Sequence, residues 1–277
     1  SINLEHSIIG DYIPFIILLG SLFVITGGIH ISGDIKAKPL NNTLFLGIGY
    51  LLASIMGTTG AAMLLIRPLI ATNQERKYST HTILFFIAAV ANCGGLLTPL
   101  GDPPLFMLYL RGVEFSWFFN LLPEWASTGA LLLIIYYFTD RYFYKKETWV
   151  DLAEDSIEVV PIRVKGIINF LFLIGVVLAV AFINKGIIPQ MADEHAPLWL
   201  KFLREIVLIV LTCMSLFYTK KEVRRVNKFT WNPIIEVAYL FLGIFVTMAP
   251  TLIWLENNAA SFGLIKPWQF YYATGGL

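Results

Sequence analysis

Residues 91–104, ANCGGLLTPLGDPP, place a carboxylate, an asparagine and a threonine directly after the apolar run ILFFIAAV. Asp102 offers anionic oxygens, while Asn92 and Thr98 offer neutral ones. A second polar interruption, Gly57-Thr58-Thr59-Gly60, adds two hydroxyls inside another apolar stretch. Oxygen ligands of this mix suit a hard cation. A carboxylate withdrawn from water can also hold a proton, so a cation and a proton would compete for the single charge of Asp102. A carboxylate at bilayer depth costs roughly 2.5 to 3.5 kcal/mol on insertion scales, a cost that Ser or Asn would avoid if capping were the only task. Capping remains the bland alternative for Asp102, and helix packing with self-bonded hydroxyls the bland one for the two threonines.

Both interruptions are built from residues that break a helix. Gly94, Gly95 and Gly101 loosen the backbone, Pro99 removes a donor, and Pro103-Pro104 open a new helical piece with Asp102 at its N-cap position. Gly57 and Gly60 flank the hydroxyl pair. Irregular backbone at membrane depth is tolerated where it is buried in protein or lines a water-filled cavity, so both breaks are expected to line one site.

That these stretches lie in a membrane follows from composition: 57% of the 277 residues are hydrophobic and 14% are charged, against about 25% charged in soluble domains. The fold class expected is an all-α, polytopic membrane protein. Ordinary spans are read at Tyr12 to Ile31, Leu121 to Thr139, Gly166 to Ile183, Phe202 to Thr219 and Val237 to Leu255, and broken ones at Asn42 to Ile66 and Thr82 to Leu110. Trp125, Tyr136, Tyr137 and Tyr218 suit interfacial aromatic belts. A net charge of +1 points to no nucleic-acid partner, and Cys93 and Cys213, both in apolar runs, form no disulfide framework.

Charge is concentrated in connections, which orients the chain. The 140–165 loop and the basic loop near 219–232 are expected on the cytoplasmic side as solvated faces, as are Arg67, Arg76 and Lys77. The run LLGSLFVITGG from Leu18 resembles FLGIFVTMAP from Phe241. If Asn42 to Ile66 enters and leaves on the cytoplasmic side as a re-entrant hairpin, the two copies run in opposite directions and form an inverted repeat. The organisation expected is a first repeat over 1–139, the charged loop 140–165, connecting spans and the basic loop over 166–230, and a second repeat starting at 231 and cut short at 277. The chain therefore reads as a fragment.

With these stretches in view, the chain resembles NhaD-type sodium/proton antiporters of the ion transporter superfamily, whose relatives include citrate and dicarboxylate carriers. The resemblance rests on FIILLGSLFVITGGIHISG from Phe15, GTTGAAML from Gly57, NCGGLLTPLGDPPLF from Asn92 and WNPIIEVAYLFLGIFVTMAP from Trp231. It implies that Gly57 to Gly60 form a hairpin tip and that Asn92 to Pro104 form the unwound helix facing it, together one of two half-sites. It also implies secondary active exchange of Na⁺ for H⁺ by alternating access, with no cofactor beyond the transported ions. The second half-site would follow the matching region, beyond 277. The location implied is a bacterial inner membrane; the partners are the bilayer, Na⁺ and H⁺, and a homodimer is possible.

Glu236 resembles a family glutamate and is a proton-relay candidate, or else an interfacial acid paired with Lys228 or Arg225. His30 reads as an interfacial polar residue. An organic-anion carrier is the rival within the superfamily. An intramembrane aspartyl protease fails because that chemistry needs two close carboxylates, and no second membrane-embedded Asp accompanies Asp102.

Overall fold

The computed structural model describes residues 7–33, 35–148, 161–193 and 195–258, with 266, 268, 269 and 272. The centre of the charged loop, 149–160, and the end of the chain at 273–277 lie outside the described residues. Among the described residues, four helical segments are long and apolar enough to cross a membrane: Ile8–Thr26, Pro39–Met56, Thr80–Leu97 and Phe115–Tyr144. The chain divides into two units, residues 15–231 and residues 1–14 with 232–277.

In the larger unit, α1 (Ile13–Thr26) is followed by β1 (His30–Ser32) and then by α2 (Pro39–Met56) and α3 (Thr58–Thr72). Gly57 alone separates α2 from α3, at a φ of 79° that side-chain-bearing residues rarely adopt. The ends remote from that turn meet: Asn42 Nδ2 donates to Asn73 Oδ1 at 2.7 Å, and Arg76 Nη1 to the Ala37 carbonyl at 3.4 Å. The segment is therefore a hairpin whose two ends share one side. It is longer than the sequence suggests, because Pro39 opens α2 at a position where its missing N–H costs nothing, and Pro68 does not end α3.

Next come α4 (Thr80–Ala89), a 3₁₀ turn at Cys93–Leu97 and α5 (Pro103–Leu110). Helices of 10 and 8 residues are about 15 and 12 Å long, each too short to cross a bilayer alone, so the unwound stretch lies between two half-length helices. A 3₁₀ segment at Phe115–Leu121 leads into α6 (Leu122–Tyr144), which extends past the expected boundary at Thr139. Beyond it lie β2 (Arg163–Lys165), α7 (Ile168–Phe182), α8 (Leu198–Lys201), α9 (Leu203–Tyr218) and α10 (Lys221–Val226). β1 and β2 pair antiparallel, with His30 opposite Lys165, a short ribbon that the all-α reading does not contain. Asn169 on α7 bonds the Gly28 carbonyl, Thr219 and Ser215, tying α7 to α9 and to the end of α1.

In the smaller unit, the lead-in Ser7–Tyr12 packs on α11 (Asn232–Asn258). The Tyr12 hydroxyl donates to the Ala238 carbonyl at 2.9 Å, and the Tyr12 ring meets Phe245 at 5.8 Å.

Part of each connection departs from the solvated faces expected of it. Arg76, Asp140 and the Glu147 side chain are buried, and Arg224 on α10 reaches the Val24 carbonyl at 2.9 Å and Ser215 Oγ at 3.0 Å. At the C-terminal end of α1 the guanidinium satisfies a carbonyl that the helix leaves open. Burial holds Arg224 below the usual guanidinium range. The Lys165–Glu222 pair, at 3.1 Å with both side chains at least half exposed, matches the expectation, as do the exposed Lys77, Lys145, Lys146, Lys220, Lys221, Arg225 and Lys228; hydrogen bonding to Lys165 holds Glu222 below the usual carboxylate range.

Candidate functional site

The two breaks meet. The Thr58 amide donates to the Gly101 carbonyl at 3.0 Å, fixing the hairpin turn against the unwound stretch. Glycine permits the approach: a Cβ on Gly101 would lie 1.7 Å from the Gly95 carbonyl oxygen, and one on Gly95 would lie 2.7 Å from the Thr58 methyl. Gly57 packs against the Leu100 carbonyl, and Gly60 against Thr26 on α1. The tip is tighter than the sequence suggests, since Thr58 and Thr59 already belong to the first turn of α3. Thr58 is buried and Thr59 exposed.

Asp102 occupies the N-cap position of α5 with extended backbone, but its side chain makes no capping bond. The reason lies in the two residues that follow. Pro103 and Pro104 have no N–H, and the next two amides, Leu105 and Phe106, donate to the main-chain carbonyl of Asp102 at 3.1 and 3.2 Å. No donor is left for the carboxylate. Among the described residues no hydrogen bond or ion pair of the Asp102 side chain is found, although the residue is partly buried. The capping alternative therefore fails for its side chain.

The other expected ligands are spent differently. Thr98 is buried; its hydroxyl donates to the Ser54 carbonyl and accepts from the Leu100 amide at 3.2 Å, so it shapes the turn that carries Pro99. Asn92 is exposed and donates to the Ile87 carbonyl at 3.1 Å, ending α4. Glu236 lies exposed near the start of α11, in the smaller unit. His30 contacts Asn227 Oδ1 at 2.7 Å through Nδ1. Cys93 is partly covered and Cys213 exposed.

Three residues that support the break were not picked out as part of the site. The Gly94 carbonyl accepts from Ser54 Oγ at 2.5 Å and from the Trp125 indole at 3.0 Å, and the Tyr50 hydroxyl donates to the Trp125 carbonyl at 2.7 Å. Trp125 and Tyr136 are thus buried rather than belt residues, because each polar tip finds a protein partner; Tyr136 contacts Thr82 at 3.1 Å. Tyr218 stays exposed. A signal was available: Trp125, Gly129, Tyr136 and Asp140 recur at helical spacing and make one buried stripe along α6, whose other faces are largely apolar and exposed.

That stripe ends in a second polar cluster at the base of the hairpin. Asp140 lies 2.7 Å from Arg76 Nη1, 2.8 Å from His81 Nε2 and 3.4 Å from Asn42 Nδ2. Glu147 accepts from the Lys77 and Tyr78 amides at 3.1 and 2.9 Å and lies 3.6 Å from Arg76 Nε.

A family model described as "Putative citrate transport" matches residues 1–277, and the chain belongs to that family. It is also similar to "Inner membrane protein YbiR" of Escherichia coli K12, at 26% identity over 132 residues. That alignment covers 43% of this chain and 36% of the relative, so the chain spans about a third of the curated relative it matches. No solved structure matches. The protein is an integral membrane protein of a transporter family.

Proposed function

We propose, from membership of a citrate-transport family, that this chain carries the first half-site of a secondary transporter exchanging Na⁺ for H⁺ by alternating access. The observation that supports a cation is the state of Asp102. Its carboxylate is uncapped and unpaired beside unwound carbonyls, which is a hard-oxygen site. The start of α5, which would otherwise attract an anion, offers none of its first amides, since two are prolines and two are bonded to Asp102 itself. Thr58 and Thr59 at the tip would add hydroxyl oxygens. Asn92 and Thr98 act in this reading as supports of the break, Glu236 is kept as a relay candidate, and the second half-site and the inverted repeat are carried over from the family resemblance. The relative's name supports placement in a bacterial inner membrane.

Carriage of an organic anion such as citrate is the second reading, and the family description favours it. The amides of Thr59 and Gly60 in the first turn of α3 have no acceptor four residues back within the helix, so the tip rather than α5 would face such an anion.

One experiment separates the two. In inverted vesicles holding the full-length protein and an imposed pH gradient, added Na⁺ should collapse the gradient for wild type and leave it standing for Asp102→Asn. Citrate, added without Na⁺, should have no effect on either. A wild-type rate in Asp102→Asn, or a gradient collapsed by citrate alone, moves the anion reading ahead.

A further inference from the structure

We propose that Arg67 on α3 and the pocket beside it form a binding site for the phosphate of an anionic phospholipid headgroup. The pocket, of about 130 Å³, lies where the end of α1, the second arm of the hairpin and the segment after α10 meet. Its walls include Gly27, Met63, Ile66, Arg67, Asn227 and Phe229. A single water needs roughly 10–15 Å³, so the space admits a polyatomic group.

The polar groups of the lining divide into spent and open ones. Thr26 Oγ1 donates to the Leu22 carbonyl at 2.6 Å. Asn227 Nδ2 donates to the Gly27 and Ile29 carbonyls at 2.9 and 2.7 Å, and its Oδ1 meets His30 at 2.7 Å. Both side chains are thus occupied within the protein. Among the described residues, the Arg67 side chain makes one hydrogen bond, from Nη1 to the Val226 carbonyl at 3.0 Å, and no carboxylate lines the pocket. A guanidinium carries several N–H donors in a planar fork that matches phosphate oxygens. The bond to Val226 therefore holds the fork at the pocket and leaves most of it open.

The neighbouring charges have the same sign. Arg225 and Lys228 are exposed on either side of Val226 and Asn227, and Glu222, the acid of α10, is paired with Lys165. What commits the occupant to a lipid is the apolar surface around the cation. Met63, Arg67 and Ile70 follow one another at helical spacing on α3, and Met63 and Ile70 are both exposed, so the guanidinium stands on an apolar strip. Trp231, also exposed, meets the Phe229 ring edge-on at 5.3 Å, and an open tryptophan suits the headgroup level of a bilayer. A soluble anion finds no partner in such a strip. An anionic phospholipid matches both parts, its phosphate on Arg67 and its hydrocarbon along Met63. Thr26, on the same wall, packs against Gly60 at the hairpin tip. A bound headgroup therefore braces the second arm of the hairpin against α1. This inference does not depend on what is transported, and its test contains no transport step.

The test is the thermal midpoint of purified, delipidated full-length protein in detergent, with phosphatidylglycerol, phosphatidylcholine, inorganic phosphate or citrate added in turn. Phosphatidylglycerol should raise the wild-type midpoint by several degrees, and phosphatidylcholine, which has no net charge, by much less. Arg67→Gln should lose most of the phosphatidylglycerol shift. Lys145→Gln, the same charge change on an exposed lysine after α6, should keep it. A full shift in Arg67→Gln overturns the proposal, as does the absence of a shift in wild type. Equal loss in Lys145→Gln also overturns it, since the effect would then be one of net charge. A shift given by inorganic phosphate or citrate alone, and lost in Arg67→Gln, assigns the pocket to a soluble anion and overturns the lipid. Should Arg67→Gln fail to fold, Met63→Trp, which fills the pocket and keeps the charge, decides: a lost shift supports the site and a full one overturns it.

Discussion

Asp102 and Asp140 are the same residue type in the same unit, each placed where an apolar helix begins or ends, and the protein treats them in opposite ways. Asp140 is surrounded by Arg76, His81 and Asn42. Asp102 has no partner for its carboxylate among the described residues, and the prolines after it remove the amides that could have served. The buried stripe of α6 passes both regions, bonding Gly94 at one end through Trp125 and Arg76 at the other through Asp140. These two residues are 15 positions apart, about 22 Å along the helix. A carboxylate held by fixed cations is committed to structure; one left without them retains an open coordination sphere, which the proposed exchange of ions would require.

The contrast predicts that the base is where stability is most exposed to mutation. Asp140→Asn strips Arg76 of its nearest counter-charge in a buried setting, and loss of about 3–5 kcal/mol is expected, read as a lower unfolding midpoint of the full-length protein. Replacing both partners, Arg76→Met with Asp140→Leu, should recover much of that loss. If the double variant is as unstable as the single, the pair is not the source of the effect.

A smaller loss is expected where the two breaks touch. Gly101→Ala puts a methyl 1.7 Å from the Gly95 carbonyl oxygen, which forces the tip and the unwound stretch apart. The cost should be about 1–3 kcal/mol, with the proposed exchange lost as well. Gly20→Ala is the control, because no atom lies within 4 Å of its added methyl. Equal effects of the two substitutions would show that the approach of Gly101 to Gly95 is not required.

Least of all should Asp102 matter for folding. A capping aspartate replaced by alanine costs about 0.5–2 kcal/mol. Because this side chain caps nothing, Asp102→Ala should change stability by less than about 0.5 kcal/mol while abolishing the proposed exchange. A clear loss of stability would mean that the carboxylate is bonded after all, and the contrast with Asp140 would weaken.

Much of the tip was legible in the residues. Gly57, the Gly94-Gly95 pair, Pro99 and Pro103-Pro104 mark their breaks through backbone chemistry, which is local. Even the failure of Asp102 to cap could have been read from Pro103-Pro104, since capping needs amides that proline lacks. The roles of Thr98 and Asn92 were not legible. Both have the right oxygens, but which atom a hydroxyl or amide meets is set by neighbouring backbone, here Ser54 from another helix and Ile87 from the preceding turn.

The sequence by itself determined that this chain lies in a membrane, where its helices break, and that a carboxylate stands at one break. Hydropathy, glycine and proline act over a few residues and need no partner to be read. Only the tertiary structure decided which charges are bound and which are free. Arg76, Asp140, His81 and Glu147 read as ordinary polar residues of connections or span ends, at positions 76 to 147, and become one buried cluster when α4 and α6 pack side by side. Charge pairing depends on distances of a few ångströms between residues far apart in the chain, and those distances exist only after the helices have packed.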